Sequence, residues 1–284
     1  MCKLKSGLLF KNGVFVPDYD SHDKMLKEKG IEDTEANRIA GKFVRFELSP
    51  ENGDPFVPID MWVFKIDQDE LPEWIKSDPE KYEAMARAAV KEWAEKHIFI
   101  GIDELNLTDG SGYYLKDCTN VTLSGSSTVQ NMWGSSTVQN MWGSSTVQTM
   151  RGSSTVQNMW DSSTVQNMWD SSTVQNMWDS STVQDMWVSS TVRNMRGSST
   201  VQNMWGSSTV QDMRDSSTVQ DMRVSSTVQN MSGSSTVQIA ENLSKGVNVK
   251  TIILSQNAII KDCRTKTLYA VGDWKLSIKE ESDA

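Results

Sequence analysis

The sequence predicts a mainly β protein: a repeat β-solenoid, with about two nonapeptides per turn, preceded by a small α+β domain at the amino terminus. Three observations carry this expectation. Thirteen nine-residue units follow one another without insertion from Gly125 to Glu241, on the pattern x-S-S-T-V-Q-x-M-x. Places two to five never vary, and Met fills the eighth place in twelve copies, with Ala240 the exception. Residues 1–105 carry no such period and alternate strand-like runs with one long helical pattern.

Taken in order, GLLFKNGVFVP, KFVRFELSP and DMWVFKID read as strands separated by turns containing Pro and Gly. The segment from Asp78 to His97 reads as an amphipathic helix: Asp78 caps it, Pro79 suits its first turn, and Tyr82, Ala86, Ala89 and Trp93 share one face. That face is expected to pack on the sheet or to plug the open end of the solenoid. His22 and His97 are the only histidines and are read as structural, His97 favoured at a helix C-terminus by the dipole. Asp67, Asp69 and Glu70 form an acidic cluster, read as a solvated loop rather than a cation site.

Residues 106–124 are expected to form a capping coil, with Leu115, Cys118, Val121 and Leu123 pointing inward. In the array at 125–241, the only steadily apolar places are those of Val129 and Met132 and their equivalents, so these face the interior. Strand alternation about Val129 puts Ser127 inside and Ser126, Thr128 and Gln130 outside. Met lies three places beyond Val, so the chain must bend near Gln130 and Asn131 to bring it back. The first place, Gly, Asp or Val, serves the other bend. A helix is excluded, because nine residues advance it by about 2.5 turns and successive Val side chains would fall on opposite faces. A disordered linker is disfavoured by the constancy of Val and Met.

A nine-residue unit is too short to close on itself. Three per turn would give a triangular rod; two per turn, the preferred reading, give a flattened one with six and a half turns in the array, about 31 Å long at the ~4.8 Å strand spacing. Identical residues then stack in ladders. The ninth place, tolerant of Trp, Arg, Ser and Glu, yields one file of Trp133, Arg151, Trp169, Trp187, Trp205 and Arg223, and another of Trp142, Trp160, Trp178, Arg196 and Arg214. These eleven residues are the candidate binding ladder, through aromatic and cation–π surface; the bland reading is that they seal the outer edge of the coil. Residues 242–284 are expected to supply carboxy-terminal coils and a cap, with IKDC at Ile260–Cys263 echoing LKDC at Leu115–Cys118, both cysteines small and buried.

Composition narrows the function. The net charge of −9 is distributed as −8 over residues 1–124, −3 over the array and +2 over the remainder, so no basic nucleic-acid footprint exists. Cys2, Cys118 and Cys263 lack metal or redox spacing, and no signal peptide or membrane span stands out, which favours a cytoplasmic protein. No nucleophile motif, phosphate loop, metal motif or cofactor motif emerges. The period matches that of calcium-binding nonapeptide solenoids, but the double Gly and constant Asp are missing.

The GLLFKNGVFVPDYD opening, the ELSP segment, the KEWA helix, LKDCTNV and the SSTVQNMW units resemble a family of uncharacterised nonapeptide-repeat proteins of gut bacteria and their phages or mobile elements. That resemblance implies no established activity. More loosely, the array is similar to pentapeptide-repeat solenoids, some of which mimic DNA, although −3 along the rod is far sparser than one charge per about 1.7 Å of duplex. The leading expectation is a non-enzymatic scaffold presenting Thr/Gln and Trp/Arg ladders to a protein partner. The alternative is an inhibitor of a nucleic-acid enzyme acting through the acidic amino-terminal domain. Ice binding by the Ser-x-Thr arrays is disfavoured by the bulky Trp and Arg nearby.

Overall fold

A computed structural model describes residues 4–223, 225–239 and 253–270. Cys2, Ala240, Glu241 and much of the expected carboxy-terminal coils, residues 242–252 and 271–284, lie outside the described residues. The chain divides into two compact units, 1–100 with 112–114, and 101–111 with 115–284.

The first unit is α+β. Strands β1 (Lys5–Phe10), β2 (Gly13–Phe15), β3 (Val44–Ser49) and β4 (Val63–Ile66) form an antiparallel sheet in the order β2-β1-β3-β4. Short helices α1 (His22–Glu28), α2 (Glu35–Ile39) and α3 (Glu73–Lys76) precede the long helix α4 (Pro79–His97). Ser21 and Thr34 cap α1 and α2, each accepting a hydrogen bond from the backbone N–H three residues on. Leu8, Met25, Leu26 and Phe43 pack as one core cluster. Asp78 caps α4 as expected, accepting from Lys81 N, and the helix packs on β1, β2 and β3. Its buried stripe is Tyr82, Ala86, Val90, Trp93, Ala94 and His97. Ala89 is half-exposed, contrary to the sequence reading, because the i, i+4 row from Tyr82 and Ala86 continues through Val90. No described helix is long and apolar enough to cross a membrane.

The second unit is a β-solenoid of about eight turns. Units eighteen residues apart stack in parallel and in register: Thr137, Val138, Asn140 and Met141 pair with Thr155, Val156, Asn158 and Met159, while Thr146 and Val147 pair with Thr164 and Val165 in the opposite sheet. Two nonapeptides therefore make one turn, and alternate units fall in two parallel sheets. Each strand runs from Thr to Met with Val and Met buried, and the adjacent Gln and Asn both lie outside, the expected detour that returns Met to the core. The third-place Ser is buried in every unit and the second-place Ser is exposed.

Eleven buried seryl hydroxyls, Ser172 among them, have no hydrogen-bond partner. Ser136 shows how such a group is satisfied: its Oγ donates to Trp133 O at 2.8 Å. In other units the matching carbonyl accepts from the same serine's backbone N–H, as Trp169 O does from Ser172 N at 3.2 Å. An unpaired buried hydroxyl costs about 1–3 kcal/mol.

The first place of the unit sits in the left-handed region, which explains its Gly/Asp choice. Gly143 has φ +67° and Asp161 φ 57°. Asp adds a contact that offsets its strain: Asp161 Oδ2 accepts from Gly143 N at 2.9 Å and Asp215 Oδ2 from Gly197 N at 3.1 Å, one turn back. Val188, at φ 59°, is β-branched and has no such contact to offer. Val188→Gly is therefore expected to stabilise the rod by about 1 kcal/mol, read as a rise in the urea midpoint; an unchanged or lower midpoint would contradict the assignment of strain.

Leading coils at Leu105–Thr108 and Val121–Ser124 stack beneath the array, with Leu115, Cys118, Val121 and Leu123 buried as expected. At the other end, Ile259–Asp262 stacks in parallel on Thr236–Ile239, and Thr267–Ala270 turns back antiparallel on it. Two expectations are corrected here. Ile239, in the seventh place of the last unit, pairs with Met222 and takes the buried position that the repeat assigns to the eighth. Cys263 is half-buried rather than buried, because it follows the inward Asp262 into the hairpin turn.

Candidate functional site: the tryptophan and arginine files

The eighteen-residue turn places all eleven ladder residues in the two files expected. In the first, Trp169, Trp187 and Trp205 stack with centroid separations of 5.1 and 5.0 Å and interplanar angles of 6° and 5°. Arg223 closes that stack, its guanidinium carbon 3.9 Å from the Trp205 centroid, and Arg151 lies 5.9 Å from the Trp133 centroid. In the second file, Trp142, Trp160 and Trp178 stack at 5.2 and 5.1 Å, and Arg196 sits 4.8 Å over Trp178. Arg214 follows Arg196 in the same file, one turn on.

The ring separation is dictated by the backbone, since strands repeat at about 4.8 Å and each indole rests on the next. Each ring pair adds about 0.5–1.5 kcal/mol beyond the area it buries, and an arginine over an exposed end ring about 0.5–1 kcal/mol. Stacking has a second consequence: ring faces are turned to one another and only edges meet solvent. The Nε1 atoms of Trp160, Trp178 and Trp187 are buried without a partner, so the exposed rim of these rings is carbon. Trp142, first in its stack, is the most open, 42% exposed. The files seal the edges of the coil and leave an apolar rim flanked by guanidinium groups.

The neighbouring seventh-place ladder is internally spent. Asn176 Nδ2 donates to Asn158 Oδ1 at 3.0 Å, Asn194 Nδ2 to Asn176 Oδ1 at 3.0 Å, and Asn203 Nδ2 to Asp185 Oδ1 at 2.8 Å. Asp is accepted in this place because it needs only to receive the bond from the turn above. Thr and Gln, by contrast, stand at the fourth and sixth places of each sheet, outside and partly exposed.

The first unit holds a polar cluster that no sequence pattern announces, because its members come from scattered positions. Lys5 is fully buried, its Nζ 3.0 Å from Asp20 Oδ1 and 4.5 Å over the Trp93 ring. Burial pushes the Lys5 pKa down, and Asp20 opposes that shift. His97 lies between Trp93 O, 2.7 Å from Nδ1, and Asp18 Oδ1, 3.3 Å from Nε2, and stacks on the Trp93 ring. His22 is also buried, its Nε2 3.2 Å from Phe46 O and its Nδ1 3.3 Å from Asp67 Oδ2. Asp67 of the acidic cluster is therefore engaged with His22, and among the described residues no group of His, Cys, Asp and Glu could hold a metal ion. Apart from the His97–Trp93 contacts, which lie within α4, these contacts join separate segments of the chain.

Comparison with protein-family models, with curated proteins and with solved structures gave no match.

Proposed function

We propose that the chain is a non-enzymatic binding scaffold, of a gut bacterium or its phage or mobile element, whose rod offers its Trp/Arg files to a protein partner. The observation that supports this reading is the straight alignment of stacked indoles with carbon rims outward and arginines at their ends. Trp and Arg are the side chains enriched where proteins meet, because they combine area, rigidity and a charged or aromatic face. A nucleic-acid ligand is disfavoured by the array's net −3.

The test is affinity capture from host lysate with the intact chain and with a Trp169→Ala/Trp187→Ala variant. The variant is expected to lose the captured protein while its far-UV circular dichroism remains that of a β rod. Capture that is unchanged in a folded variant sinks the reading.

A further inference from the structure

The carboxy-terminal hairpin does more than close the sheet. Its returning strand, Thr267–Ala270, extends the same sheet by one edge strand, and its Leu268 closes one end of a groove of about 660 Å³ on the outer face of the last coils. The floor is made of ladders. Gln202, Gln220 and Gln238 occupy the sixth place on three successive turns of one sheet, and Lys261 continues the row as the register partner of Gln238. Thr218 and Thr236 run beside them, their hydroxyl oxygens 3.2 Å apart. Leu268, 49% exposed and paired with Lys261, follows in the same row and forms the apolar wall at its end.

Three features of this groove define what fits it. Its axis crosses the strands, so a ligand lying in it meets side chains and cannot pair with the sheet, whose own amides are spent along the rod. Carboxamides and hydroxyls donate and accept alike, which suits a chain of hydroxyl groups. Floor groups repeat at the strand spacing of about 4.8 Å; an extended peptide advances about 3.3–3.4 Å per residue and falls out of step, whereas a pyranose ring advances a chain by close to one strand spacing. Lys261 is the only cation in the lining, too few for a phosphate polymer. Asp221, the one carboxylate there, is held by Arg223 at 3.2 Å, with its other oxygen left for a diol.

We propose that this groove binds a linear oligosaccharide laid along the solenoid axis, the Gln and Thr ladders contacting successive sugar rings and Leu268 packing on one ring edge. The site is separate from the Trp/Arg files and does not depend on their having a protein partner.

The experiment is calorimetric titration of the full chain with four linear probes: cellotetraose, maltotetraose, chitotetraose and tetragalacturonate. At least one is expected to bind with a Kd of about 1 mM or tighter. Gln220→Trp, which fills the groove, and Leu268→Arg, which removes its apolar wall, should each weaken that binding at least about tenfold. Gln148→Trp, in the same ladder but outside the groove, should leave both binding and melting unchanged, which separates occlusion from misfolding. The proposal is overturned if none of the four binds, if Gln220→Trp and Leu268→Arg bind as the parent does, or if Gln148→Trp loses binding equally.

Discussion

Val174→Asp is expected to abolish the cooperative melting of the rod, while Thr173→Asp, one residue earlier, leaves it in place. Val174 is fully buried and stacks in register between Val156 and Val192. A carboxylate there has no partner in a ladder of valines above and below, so it must be protonated or must drag water into the core. Either costs several kcal/mol, a large fraction of what a domain has to lose. Solenoid turns rely on their neighbours, so the damage spreads to both halves of the array. Thr173 lies on the outer surface of the same strand, half-exposed, and the same substitution there keeps its charge in water. The pair of variants isolates direction from chemistry. Thermal melts followed by circular dichroism read the result, and equal melting of the two variants would refute the inward assignment of Val.

This in-and-out assignment was legible before any coordinates, because thirteen copies act as thirteen trials of each place. The places that stay apolar, those of Val and Met, are interior; the ninth, which accepts Trp and Arg, lies at the edge. The sequence favoured two units per turn over three without deciding between them, and the eighteen-residue register of the sheets is what places the two files. What escaped the sequence lies where repetition stops. Helices α1 to α3 are too short to leave a periodic pattern; α1 and α2 are held by their Ser21 and Thr34 caps, and α3 buries Ile75. Ile239 displaced the eighth place because the last unit offers an apolar side chain one position early. Lys5, Asp20 and Trp93 meet only once the sheet and α4 have formed, so no spacing announces them. The groove that ends at the hairpin is likewise hidden, since Leu268 reaches the repeat ladders through an antiparallel return that no period predicts.

The cap at that return carries a buried ion pair, and its removal is the second large effect expected. Asp262 is buried, its side chain 2% exposed, within a hairpin that otherwise shows short strands and a polar turn. Its Oδ1 accepts from Arg264 Nε at 2.9 Å and from Arg264 N at 3.1 Å, and its Oδ2 accepts from the guanidinium at 2.7 Å. Asp262→Asn removes the charge and leaves Arg264 facing an amide. Breaking a fully buried pair costs about 3–5 kcal/mol; here the cost is smaller, because Arg264 is 16% exposed and keeps some contact with water. Acid should act on the same bond. Hydrogen bonding to Arg264, against the opposing effect of burial, holds the Asp262 carboxyl below its ordinary value of 3.8. A depressed carboxyl contributes stability that is fully present above the unfolded value and is lost as pH falls through the folded one. Amide protection factors across Ile259–Asp262 and Thr267–Ala270, each taken against intrinsic exchange at the same pH, should therefore be high at neutral pH, fall below about pH 4, and be low at every pH in Asp262→Asn. Loss of the cap bares the edge of Thr236–Ile239, whose free backbone groups invite a second rod. The variant should accordingly associate end to end in light scattering, whereas a variant that stays monomeric with high protection factors would show that the hairpin does not depend on this pair.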